Sequence, residues 1–329
     1  MWRRLALVVS LASAPLAAQG AEPGSAAPAA QPPVPAWVTL GTMGGPMPFA
    51  GRSQPANALL WANDAWLIDC GDGAMGQLAK AGLSPRAAKV LFLSHLHFDH
   101  TGGVAALIGL RYQIAAPGKL AIYGPPGTKA MVDGIVASMR PAAEAGYGLP
   151  GEPSINPADT VTVHELADGE TLTIDGVTVR TAQNSHYSFV SGSTHDNAFK
   201  SFSYRFDLPG RSIVYTGDTG PSSAVERLGK GADLLVSELI DVEATIAAVK
   251  RMAPDQTGLQ LEAMRRHLTD HHLSPEQVGD LAARMGTKRV VVTHLAGPTG
   301  MSDKAAEYAE AISARAHAEV VIATDLDRF

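Results

Sequence analysis

The sequence predicts an α/β fold of two β-sheets with helices on their outer faces. Three features predict it. Short apolar runs of strand length recur from Trp37 onward and dominate both halves of the chain. Turn signals separate them, among them Asn63-Asp64, Ala167-Asp168-Gly169, Asp175-Gly176 and Pro209-Gly210. Stretches of helical length fall between the runs, placed to cover sheets from outside.

Taken in order, strands are expected at 37–41, 58–61, 66–69, 90–94, 120–123, 160–166, 171–174 and 177–181. Further strands are expected at 202–206, 212–216, 234–237, 289–293 and 319–323. Helices are expected at 74–81, 102–109, 128–139, 222–228, 259–270, 275–285 and 303–316. The helix at Pro275 carries the fullest signature. Ser274 can cap it, Pro275 suits its first turn, Gln277 completes a capping box and Gly286 can end it. Residues 140–157, rich in Gly, Pro and Ala, read as an irregular excursion, and 240–270 as a mostly helical insertion.

The chain has 329 residues, 46% hydrophobic and 18% charged, ample for a sizeable core. A net charge of −6 gives no global nucleic-acid-binding surface, which leaves only local basic patches. Trp2-Arg3-Arg4, the apolar stretch Leu5 to Ala18 and the small residues around Ala18-Gln19-Gly20 read as a signal peptide over 1–20. The apolar stretch is too short to span a bilayer. Residues 21–36 read as an Ala/Pro-rich linker, and 37–329 as a single catalytic domain. The expected location is therefore periplasmic or secreted. Cys70 is the sole cysteine, so no intramolecular disulfide can form. After Trp66-Leu67-Ile68 it reads as a small buried residue.

The chemistry gathers in "SHLHFDH", Ser94 to His100, directly after Val90-Leu91-Phe92-Leu93. The cluster sits where a strand ends and Thr101-Gly102-Gly103 opens a helix, the edge at which α/β proteins place their sites. In extended chain His95 and His97 point the same way and can grip one ion. Asp99 and His100 then turn toward a second position. Imidazole and carboxylate ligands suit zinc best, with manganese or iron as alternatives. Two ions need more ligands, and three other strand ends offer them: His186 after 177–181, Asp218 after 212–216 and His294 after 289–293.

These motifs resemble the metallo-β-lactamase-fold hydrolases, an αββα sandwich of two mixed sheets with a dinuclear metal site between them. "LGTMGGPMP", "WLIDCGDG", "SHLHFDHTGG", "YTGDTG" and "VVVTHLAG" match in order. The Gly-rich start and "HHLSPEQVG" are similar to the branch of ribonuclease Z, arylsulfatases and related phosphodiesterases. The resemblance implies that His95, His97 and His186 hold one ion, that Asp99, His100 and His294 hold the other, and that Asp218 bridges them. It implies that Asp69 orients a ligand histidine and that His272 assists the substrate beside the metals. It also implies homodimers. The protruding basic arm of the ribonuclease has no counterpart here, and export would separate the chain from transfer RNA precursors. Nucleic acid is therefore not an expected partner, and a small anionic ester is.

Two divalent ions against two carboxylates and a bridging hydroxide leave about one positive charge, which favours an anionic group. The expected function is thus that of an exported dinuclear-zinc hydrolase acting on phosphodiesters or related esters. A β-lactamase, lactonase or arylsulfatase would use the same scaffold. A metal-binding or partner-binding protein without catalysis is the reading of another class. His267 and His271 read as a solvated helix face, His195 as a loop residue, and Arg52, Ser53 and Gln54 as facing either the site or solvent.

Overall fold

The computed structural model describes residues 35–151 and 155–329. The expected signal peptide and nearly all of the expected linker lie outside the described residues. The strands are β1 Ala36–Gly41, β2 Met43–Gly44, β3 Ala56–Trp61, β4 Asp64–Cys70, β5 Ala88–Phe92, β6 Leu120–Gly124, β7 Val161–Glu165, β8 Thr171–Ile174, β9 Val177–Gln183, β10 Phe202–Leu208, β11 Arg211–Tyr215, β12 Leu234–Ile240, β13 Arg289–Ala296 and β14 Glu319–Ile322. The α-helices are α1 Ala74–Lys80, α2 Phe98–Thr101, α3 Val104–Gln113, α4 Thr128–Ala145, α5 Thr194–Ala198, α6 Ser223–Leu228, α7 Val242–Met252, α8 Gly258–Asp270, α9 Pro275–Met285 and α10 Ala305–Ala316.

Two mixed sheets result. One runs β1-β3-β4-β5-β6-β7, antiparallel as far as β4 and parallel beyond. The other runs β14-β13-β12-β11-β10-β9-β8, with β2 added beside β13. Strand alternation explains the layering. Trp66, Ile68, Val90 and Phe92 of the first sheet meet Tyr204, Phe206, Tyr215 and Val291 of the second in a common core. The intervening Leu67 and Leu91 face the opposite way, packing with Leu78, Leu107, Ile108 and Val132 from α1, α3 and α4. Val290 and Val292 likewise pack against Val278, Leu281 and Ile312 of α9 and α10. The order is thus helix, sheet, sheet, helix. The expected sandwich is the observed one.

Details differ from the sequence reading. Ala36, placed in the linker, is buried and starts β1. The excursion at 140–157 is helical as far as Ala145, because α4 continues through Pro141. That proline forfeits one N–H bond, and the strong helix formers Ala142, Ala143, Glu144 and Ala145 carry the helix on. The insertion resolves into α7 and α8. Asp241 caps α7, and a Thr257–Gln260 capping box starts α8. α9 begins and ends as its signature predicts.

Two irregularities bear on the site. Opposite Ala56–Asn57, β4 carries one extra residue at Asp69, and opposite Ser237–Leu239, β13 carries one at Thr293–His294. Asp69 and His294 both adopt left-handed backbone, with φ of 58° and 44°. A bulge breaks the alternation and re-aims the side chain, here toward the end of the sandwich where the sheets meet.

Candidate metal centre

All seven residues named as ligands, separated by up to 199 positions in sequence, converge at one end of the sandwich. The segment after β5 supplies His95, His97, Asp99 and His100. The loop after β9 supplies His186, the turn after β11 supplies Asp218, and the β13 bulge supplies His294. Ring nitrogens of His95, His97 and His186 form one group, and donors of Asp99, His100 and His294 form a second. Asp218 lies between. Its Oδ2 is 4.0 Å from His95 Nε2, while its Oδ1 is 3.3 Å from His100 Nε2 and 3.2 Å from His294 Nε2.

The surroundings fix how the rings present themselves. Asp69 is fully buried. Its Oδ1 accepts from the Ser94 N–H at 2.7 Å, and its Oδ2 accepts from the Ser94 hydroxyl at 2.8 Å and the Tyr215 hydroxyl at 2.7 Å. The same Oδ2 accepts from His100 Nδ1–H at 2.8 Å, which leaves His100 Nε2 as the nitrogen offered to the cluster. The His271 carbonyl does the same for His186 Nδ1, at 3.2 Å.

These residues fit divalent cations. His97 Nδ1 lies 3.0 Å from His95 Nε2 and 3.2 Å from His186 Nε2. Three nitrogens at such spacing cannot each find a proton to share, whereas one cation satisfies three lone pairs. Buried His100 Nε2, Asp218 Oδ1 and His294 Nε2 lack any well-directed hydrogen bond despite their proximity. Burial alone would raise the Asp99 carboxyl, but His100 and His294 bring it down to about 2. Burial alone would lower the His294 imidazole, but Asp218 and Asp99 push it up to about 10. Beside the carboxylates of Asp99 and Asp218, His100 and His294 are thus pushed toward the protonated form, whereas burial holds His95, His97 and His186 below the ordinary imidazole value.

Sequence reasoning missed Glu238. It lies buried in β12 and accepts from the Thr219 N–H at 2.5 Å and from His272 Nδ1 at 2.7 Å. The signal was there: a lone acid inside the apolar run "LLVSELI", like Asp69 inside "WLIDC". His272 is itself buried, 5.0 Å from the His186 ring and 4.0 Å from Asp218. Burial would lower its pKa, but Glu238 raises it above the ordinary value.

His267 and His271 are not a solvated face. His267 packs 5.6 Å from His186 and 5.4 Å from His272, and its Nδ1 lies 2.8 Å from that of His271. Burial and neighbouring His272 push His267 down to about 4. Arg52, Ser53 and Gln54 brace the Gly-rich loop instead of facing the site. Arg52 donates to the Thr42 hydroxyl and the Ala323 carbonyl, the Ser53 N–H to Asp325, and Gln54 to the Gly45 and Pro46 carbonyls. Cys70 is buried, and burial pushes its thiol up to about 12, which fits an inert packing residue.

Residues 65–295 match the family described as the Beta-lactamase superfamily domain. The chain belongs to the beta-lactamase superfamily. Ribonuclease Z of Mycobacterium avium (strain 104) is 31% identical over 262 residues, spanning 78% of this chain and 85% of the relative. Ribonuclease Z of Mycobacterium sp. (strain KMS) is 30% identical over 279 residues, spanning 84% and 90%. Among solved structures, the metallo-beta-lactamase fold protein YhfI from Bacillus subtilis superposes with a TM-score of 0.62 at 18% identity, covering 90% of this chain and 98% of its own. Human tRNase Z, short form, gives 0.60 at 21%, covering 89% and 98%. These two structural likenesses concern the fold. The superfamily member described here is a metal-dependent hydrolase, as the resemblance implied.

One expectation falls. A nucleic-acid partner was set aside for want of a basic arm and because of export, yet the relatives at 30% identity and above are named as ribonucleases. The physical error is plain. An arm governs how a long RNA is gripped, whereas the cleavage chemistry resides in the cluster. No described helix is long and apolar enough to cross a membrane.

Proposed function

We propose that this superfamily member is a phosphodiesterase acting on nucleic-acid-type substrates through two zinc ions. The observation that carries the reading is Asp218, whose two carboxylate oxygens face two different ligand groups. His95, His97 and His186 would hold one ion and Asp99, His100 and His294 the other, with manganese or iron as alternative metals. When bound, such ions supply Lewis-acid charge and a water nucleophile at neutral pH. The chain's own residues do the rest. Asp69 and the His271 carbonyl hold His100 and His186 in the required tautomers. Glu238 accepts from His272 Nδ1, orients the ring and favours its second proton, so that the imidazolium could give the Nε2 proton to the leaving oxygen. Export rests on the N-terminal pattern of residues 1–20, and fractionation of cells expressing the full chain tests it.

The functional test is a chromogenic panel of phosphodiester, phosphomonoester, sulfate ester, lactone and cephalosporin, each with and without chelator. Chelator-sensitive turnover fastest on the phosphodiester is expected, with two metal ions per chain by elemental analysis. A cephalosporin or lactone as the fastest substrate refutes the assignment. Turnover of none, with metal bound, favours a binding protein.

A further inference from the structure

Beyond the metal cluster, the loop joining β9 to β10 carries rings that no core requires. Every phenylalanine exposed among the described residues lies on a ligand-bearing segment between strands. Phe98 sits between His97 and Asp99, while Phe189 and Phe199 follow His186. Phe189 is 40% exposed and Phe199 49% exposed, and neither belongs to a buried cluster. They are not scattered. Tyr187 packs against His97 and His186, with ring centroids 5.6 and 5.0 Å away. Phe189 continues from Tyr187 at 5.5 Å, and Phe199 from Phe189 at 6.1 Å. His195 fills the third corner, 5.7 Å from Phe189 and 5.9 Å from Phe199. The rings tilt by only 35° to 46° along this outward course. The loop is held in place, since the Ser193 hydroxyl caps α5 and Lys200 pairs with Asp196 at 3.0 Å. That pairing leaves the shelf little net charge, so it suits an uncharged planar group better than a phosphate.

We propose that Tyr187, Phe189 and Phe199 form a stacking shelf for the nucleobase adjoining the scissile phosphodiester. The inference rests on the phosphodiesterase reading and narrows its substrate class to diesters bearing a nucleoside. The shelf begins against two ligand histidines, so a base stacked on it leaves its own phosphate at the cluster. Base–aromatic stacking tolerates any base, because each has a π-face. The base belongs to an RNA end or to a free nucleotide, and the two are separable by experiment.

The first measurement compares p-nitrophenyl thymidine 5′-phosphate with methyl p-nitrophenyl phosphate, which share a leaving group and differ in the retained one. In the doubly substituted Phe189→Leu/Phe199→Leu protein, the ratio of kcat/KM for the nucleoside ester to that for the methyl ester falls at least tenfold. Phe→Tyr at both positions restores it. A parallel fall on both esters means that the loop only shapes the site, and it overturns the shelf. The second measurement needs no turnover. Fluorescence of 2-aminopurine riboside monophosphate, and of a short single-stranded RNA ending in 2-aminopurine, is quenched by the wild-type chain and markedly less by the Leu variant. Whichever probe is quenched names the source of the base. Quenching of neither, or equal quenching by the variant, overturns the shelf. If quenching is Phe-dependent while no diester is hydrolysed, the shelf stands and the phosphodiesterase reading falls.

Discussion

Replacing Asp69 with Asn removes one charge and one acceptor from a carboxylate that has four buried donors around it. The most favourable placement puts the amide oxygen where Oδ2 accepts from the Ser94 hydroxyl, the Tyr215 hydroxyl and His100 Nδ1. The amide NH2 then faces the Ser94 N–H, which at 2.7 Å in the wild type has lost its acceptor. A buried donor left unsatisfied costs about 1–3 kcal/mol. Turning three charge-assisted bonds into neutral ones costs roughly 1 kcal/mol each. The sum is about 4–6 kcal/mol, against a total stability on the order of 5–15 kcal/mol. At roughly 2 °C per kcal/mol for a chain of this size, the melting temperature should fall by about 8–12 °C. Metal affinity should weaken by about 10- to 100-fold, as it does when the partner of a ligand histidine is lost. Thermal unfolding of metal-free protein reads the first effect, and competition with a chromophoric chelator reads the second. An Asp69→Asn protein that melts within about 2 °C of wild type and holds its metals as tightly refutes the argument.

Three further outcomes are expected. In Gly44→Ala, the new Cβ would sit 2.6 Å from His294 Nδ1 and 2.8 Å from the Ala296 nitrogen, so His294 must shift, and activity with saturating metal should drop by about tenfold or more while the fold persists by circular dichroism. Tyr204→Phe removes a hydroxyl that donates to the Leu93 carbonyl across the two sheets at 2.5 Å, and urea unfolding should show a loss of about 1–3 kcal/mol because that carbonyl stays buried. Partial burial would raise the Asp241 carboxyl, but Lys304, the Ala244 N–H and the Tyr308 hydroxyl outweigh it and hold it below its ordinary value. Its contribution is therefore present above the unfolded pKa of about 3.9 and lost as pH falls through the lower folded value. The stability gap between wild type and Asp241→Asn should hold from pH 7 to about pH 5 and close below about pH 4, and an unchanged gap at pH 3 sinks the assignment.

The layers and the candidate metal ligands were legible because both announce themselves locally. Apolar alternation marks "WLI" and "RVVV" as strands, and His95, His97, Asp99 and His100 stand together where one strand stops. Asp218 and His294 were readable by the same rule. Glu238 stood out as a lone acid in an apolar run, but its role did not, because a buried acid becomes intelligible only once its partner is known, and His272 lies 34 residues away. The bulges at Asp69 and His294 were equally silent, since an extra residue in a strand shows only against the register of its neighbour. The last turns of helix α4, beyond the expected 128–139, hid behind Pro141, whose usual role as a breaker was overruled by the alanines that follow. His267 looked solvated because its spacing to His271 matches an exposed helix face, and only the seating of α8 against His186 says otherwise.

The Asp69 carboxylate also joins parts that would otherwise move independently. Through Ser94 it grips the sheet that carries the histidine-rich segment, and through Tyr215 it grips the opposite sheet. Any shear of one slab past the other must stretch this rivet, and His100 is fastened to the same oxygen. Mechanical loosening of the sandwich would consequently register at the catalytic end before a single strand had frayed.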